Sequence, residues 1–68
     1  MPWQNADSSM FEAYDYDPNM KVLHVKFRSS KEIRSYQGVE PHTALQFAEA
    51  SSMGKFFHTK IRDNYKAL

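Results

Sequence analysis

The sequence contains no cysteine, only two glycines, and no apolar run approaching the ~18 residues that a membrane span needs. The first absence excludes a disulfide framework and a thiolate metal site, and it suits a reducing compartment. The opening residues MPWQNADSSM hold neither a basic nor an apolar segment, so nothing in them reads as a secretory signal. A cytoplasmic location without membrane contact is the expectation. A large net charge is lacking too: nine Lys and Arg stand against eight Asp and Glu, a formal +1. There is no internal repeat, low-complexity tract or Gly/Ser linker.

What is present suffices for one small folded domain. Hydrophobic residues make up 41% and charged residues 25% of the 68 positions, a globular rather than a disordered composition. A domain of this length buries only about 60% of the surface of its unfolded chain, so the core must be thin. The charge is unevenly spread. Residues 1–20 hold Asp7, Glu12, Asp15 and Asp17 and no cation, whereas residues 21–68 hold all nine basic residues against Glu32, Glu40, Glu49 and Asp63. Such a split marks a polyanion-binding face, unless the acidic segment folds back and cancels the field.

The polar start, residues 1–7, has no period and is expected as a flexible leader to a single domain over 8–68. After the aromatic stretch Phe11 to Tyr16, DPNM supplies turn chemistry, with Asp17 placed to cap and Pro18 to set φ. In KVLHVKFR, Leu23, Val25 and Phe27 alternate with His24, Lys26 and Arg28, the period of a half-buried strand. Glu32 to Val39 has enough Ile, Tyr and Val for a third. Pro41 opens a helix that places Ala44, Leu45, Phe47 and Ala48 on one side. Ser51, Ser52 and Gly54 then interrupt it. In the last stretch Phe57, Ile61, Tyr65 and Leu68 form one helical stripe, and Lys55, His58, Arg62 and Lys66 an adjoining one. The expectation is an α+β fold. Strands near 10–16, 21–28 and 32–38 form a three-stranded antiparallel meander, and helices near 41–50 and 53–65 pack on one sheet face. Leu23, Val25, Phe27, Leu45, Phe47, Phe57 and Ile61 make the core.

The run SSMFEAYDYDP…LHVKF, then GVEP, then ALQFAEASSMGKFFHTKIRDNY resembles the KTSC domain, a unit of about this length named for its occurrence at the C-terminus of some lysyl-tRNA synthetases. The resemblance covers Ser8 to Tyr65. It rests on Ser8, Ser9, Tyr16, Asp17, Leu23, Val25 and Phe27, then on Val39, Ala50, Ser52, Gly54, Phe57, Ile61, Arg62 and Tyr65. Phe56 and His58 stand where that pattern usually has Tyr and Asn. Of the Tyr-x-Tyr motif in the third strand only Tyr36 survives, with Arg34 in the other slot. The resemblance implies a free-standing small domain of the kind found in bacteria and their phages. Its company with a synthetase implies RNA binding by analogy of context.

The residues themselves allow the same reading. Single-strand binders combine cations that track phosphates with aromatic platforms for bases. His24, Lys26, Arg28, Arg34 and Tyr36 are expected on the open sheet face, with Lys55, Arg62 and Lys66 along the last helix. The candidate nucleic-acid-binding set is Arg34, Tyr36, Lys55, His58 and Arg62: Lys55 and Arg62 for phosphates, Tyr36 for stacking, His58 as a lesser member. The Ser52 to Lys55 helix opening is a second anion candidate, although simple capping accounts for it. No catalytic, metal-binding or cofactor site is expected, because the three histidines lie far apart in sequence and no nucleophile motif is present. The reading is therefore of a small non-enzymatic domain that binds single-stranded RNA or another nucleic acid. The alternative is a protein–protein interaction module, or a homodimer joined at a sheet edge, since a three-stranded sheet leaves two edges to protect.

Overall fold

The computed structural model describes residues 3–6 and 8–68. Five antiparallel strands form one meander in the order β1-β2-β3-β4-β5: β1 Gln4–Asn5, β2 Phe11–Asp17, β3 Val22–Phe27, β4 Ile33–Gln37 and β5 Lys66–Ala67. Helix α1 (Pro41–Glu49) and helix α2 (Met53–Phe56) lie between β4 and β5, and α2 runs directly into a π-helical turn, Phe57–Ile61. The expected three strands and two helices are there. The expectation was short by two edge strands: β1 lies within the expected leader, whose residues 1, 2 and 7 fall outside the described residues, and β5 follows the span of the expected long helix, whose last residues, 62–65, form a turn instead. No helix among the described residues is long and apolar enough to cross a membrane.

The turns follow from their residues. Asp17 Oδ1 accepts the N–H groups of Asn19 and Met20 at 3.0 and 3.2 Å, which closes the β2–β3 turn. Gly38 takes φ +79 where the chain leaves β4, a conformation that a Cβ disfavours. Strict alternation in FEAYDYD would put Phe11 and Tyr14 on opposite sheet faces. A bulge between Phe11 and Ala13 breaks the alternation, so that Phe11, opposite Phe27, and Tyr14, opposite Val25, share a face.

That face meets the helices. Phe11, Leu23, Val25, Tyr36 and Val39 are buried there with Ala44 and Phe47 of α1 and with Met53, Phe57 and Ile61. Phe57 sits among Phe11, Phe27 and Tyr36, with ring centroids 5.2, 6.0 and 5.4 Å away. Two core expectations need correction. Leu45 is 58% exposed, because at ~100° per residue it falls on the flank of the buried Ala44 and Phe47. Phe27 is only half-buried, at the rim of the core.

The last helix is shorter than expected for a reason that its spacing carries. Met53, Phe57 and Ile61 are buried four residues apart, and in an α-helix each such step overshoots a full turn by roughly 40°. A wider turn holds them in line. The Arg62 N–H donates to the Phe57 carbonyl at 2.8 Å, the i→i+5 bond of a π turn. The Thr59 hydroxyl donates to the Lys55 carbonyl at 2.9 Å, and Asn64 Nδ2 to that of Lys60 at 3.0 Å, so carbonyls around this turn keep partners. The chain then leaves the helix, which places Tyr65 beside the core and Leu68 out in solvent.

Candidate nucleic-acid interface

A groove of about 330 Å³ opens where β4 meets the π-helical turn. Its floor is apolar, formed by Met10, Phe27, Tyr36 and Phe57, and Arg34, His58 and Arg62 stand around it. Alternation along β4 positions Arg34: it pairs with Val25 as Tyr36 pairs with Leu23, so both point to the helix side of the sheet. The π-helical turn presents His58 and Arg62 from opposite the strand. Four of the five expected site residues thus converge on one groove.

Several placements differ from expectation. Arg34 and Tyr36 lie on the helix side of the sheet, not on its open face, because alternation from the core residues Leu23 and Val25 sends them there. Tyr36 is only 3% exposed and packs edge-on against Phe57, so its ring face is not free to stack a base. Lys55 lines a second groove of about 550 Å³, with Gln46, Phe56, Thr59 and Lys60, on the other flank of the last helix. Of the remaining expected cations, Lys26 lies on the open face and Lys66 belongs to β5. Arg28 is tied down, donating to the carbonyls of Ser8, Ala6 and Phe11 at 3.0 to 3.2 Å.

The acidic segment does fold back. Glu12 pairs with Lys26 at 3.3 Å and with Lys31, and these two ammonium groups hold its carboxyl below the usual carboxylate range, Lys31 contributing most. Around the groove, Glu32 Oε1 accepts from Arg34 Nε at 2.7 Å, which keeps the guanidinium protonated even more firmly than usual. Asp63 lies 3.6 Å from Arg62. These pairs are solvent-exposed and weak, so a polyanion can compete for both arginines. Among the described residues no three His, Asp or Glu side chains gather to hold a metal ion.

The family model of the KTSC domain matches residues 7–65. The chain belongs to this family. It is 31% identical over 58 residues to an uncharacterized protein of Stutzerimonas stutzeri (strain A1501), across 85% of this chain and 80% of that one. Its fold matches the crystal structure of a KTSC domain protein from Yersinia pestis with a TM-score of 0.91 and 28% identity, over 98% of this chain and 93% of the other. The KTSC fold itself accounts for several motif residues. Ser8 Oγ accepts the N–H groups of Met10 and Phe11 at 3.1 and 3.3 Å, and Ser52 Oγ caps α2 by accepting Lys55 N–H at 3.4 Å. At Gly54 a Cβ would stand 3.2 Å from Met10 Sδ, so the glycine lets the helix pass close to the chain entering β2. Arg62 alone of the motif's charged residues faces the groove.

Proposed function

We propose that this KTSC domain is a non-enzymatic module that binds a short stretch of single-stranded RNA in the groove between β4 and the π-helical turn. The observation that carries the reading is the meeting of Arg34, from a strand, with His58 and Arg62, from a helix, around an apolar floor. Guanidinium groups contact phosphates, and their planes and the His58 ring offer flat surfaces on which bases stack. Tyr36 supports the floor and takes no base. The π turn adds weight, since such turns occur frequently at functional sites.

The test is a titration of fluorescently labelled single-stranded RNA with the parent and with an Arg34→Glu/Arg62→Glu variant, at low and at moderate salt. Binding that weakens on charge reversal, in a variant that melts like the parent, supports the groove. Absence of binding at low salt sinks the reading. The protein-partner alternative has its own observation, exposed apolar residues on a different surface.

A further inference from the structure

We propose that the sheet face turned away from the helices is the interface of a homodimer in which two copies stack face to face. This inference is independent of the RNA reading, because the stacked arrangement leaves the groove, on the other side of the sheet, facing solvent.

No described helix covers this face, yet it is apolar in places. Trp3, Ile33 and Leu68 are 41%, 54% and 71% exposed, and all three lie on it. Register and contacts fix their places. The Trp3 and His24 rings meet edge-on with centroids 6.3 Å apart, His24 Nδ1 and the Ser35 hydroxyl share a hydrogen bond of 2.6 Å, and the Leu68 N–H donates to the Ser35 carbonyl. Trp3, Asp15, His24, Ser35 and Leu68 therefore form one row across the five strands. A second row holds Ala13, Lys26 and Ile33, and a third Asp17, Val22, Gln37 and Lys66.

A two-fold axis parallel to the strands, over the central strand β3, lays each row on its own reverse. Trp3 then covers the partner copy's Leu68, and Ala13 covers its Ile33. Val22 meets Val22, and the carboxylate of Asp17, on the acidic half of the face, comes beside Lys66 on the basic half. Lys26, on the axis, meets the partner copy's Lys26, a like-charge contact tempered by the Glu12 carboxylate that each Lys26 holds at 3.3 Å; at the other paired positions the face is complementary to itself, the property that an isologous interface requires. Stacked sheets about 10 Å apart, crossing at roughly 30°, keep these neighbours in reach. The five strands, two to seven residues long, spaced about 4.8 Å with a rise of about 3.4 Å per residue, give a face of only about 360 Å² in projection. That is the size of a weak, concentration-dependent dimer.

Sedimentation velocity from roughly 1 µM to roughly 1 mM, the span over which a weak interface fills, tests this. Trp3, the single tryptophan, reports on the same face by its emission. The expected result is a rise from monomer towards dimer mass with a blue shift of that emission. Ile33→Asp abolishes the rise, and Lys66→Glu weakens it about tenfold by setting like charges beside Asp17. Asp17→Asn in the Lys66→Glu background, which keeps the oxygen that caps the β2–β3 turn, recovers part of the loss. A monomer at every concentration overturns the proposal and leaves the face to a different protein. Association unchanged by both Ile33→Asp and Lys66→Glu overturns it equally, and so does a double variant no better than Lys66→Glu. Thermal melts of each variant separate a lost interface from a lost fold.

Discussion

Tyr36 packs edge-on against Phe57, with ring centroids 5.4 Å apart and planes at 76°, and both rings are almost wholly buried. The contact joins β4 to the π-helical turn, so the floor of the groove and the hydrophobic core are the same side chains. Phe57→Ala removes the ring on which Phe11, Phe27 and Tyr36 all lean. The expected cost is about 3 to 5 kcal/mol, comparable with the whole stability of a domain this small. Urea unfolding followed by circular dichroism should show a broad, uncooperative transition or none. A variant that unfolds as sharply and at the same midpoint as the parent places this ring elsewhere.

Tyr16 ties the sheet to the segment ahead of α1, its hydroxyl donating to the Val39 carbonyl. Burial, and next the neighbouring Glu40 carboxylate, push the phenol above its ordinary pKa. The neutral form is therefore the one that the fold favours. The stability this contributes is fully present below the unfolded phenol's pKa near 10 and is lost as pH rises through the folded value. Tyr16→Phe should cost about 1 kcal/mol at neutral pH and should lose stability less steeply than the parent above about pH 10. Parallel denaturation curves at neutral and alkaline pH check both parts.

Glycine substitutions should separate backbone strain from packing. Gly38 has φ +79 and open space where a Cβ would go, so Gly38→Ala costs only what the left-handed conformation costs, about 1 to 2 kcal/mol. Gly54 has ordinary helical φ, and its Cβ would press only on the flexible, half-buried Met10 side chain. There the gain in helix propensity, up to about 1 kcal/mol, offsets a small shift of Met10. Equal losses at the two positions would show that the Met10 contact is rigid.

The parts of the fold legible in the sequence were those with a clean period. Leu23, Val25 and Phe27 alternate, and the three long strands lie within a residue or so of expectation. The bulge after Phe11 was hidden because FEAYDYD alternates plausibly in either phase. Strands β1 and β5 are two residues each, too short to carry a period, and exist because the long strands offer them an edge. The candidate site was legible where helical spacing mattered, at His58 and Arg62. It was not legible at Tyr36: a tyrosine alternating with polar residues reads the same on either face, and only the β3–β4 register sends it inward. Lys55 shares a helical stripe with Arg62 in an ideal α-helix, but the π turn between them puts the two on different grooves.

Glu32 holds Arg34 at 2.7 Å and is the groove's own competitor for any phosphate. Replacing it with glutamine removes the competing charge and keeps the shape. Glu32→Gln should therefore tighten RNA binding by roughly 0.5 to 1 kcal/mol, the worth of an exposed ion pair. Arg34→Glu/Arg62→Glu should weaken it, and Lys55→Glu/Lys60→Glu, on the second groove, should change it less. Salt then counts the phosphates. For single strands the slope of log K against log salt is about −0.7 per neutralised phosphate, so two arginine contacts give about −1.4, and the charge-reversed pair should flatten that slope. A parent slope much steeper than this, carried by Lys55 and Lys60, would move the nucleic-acid surface to the other flank of the last helix.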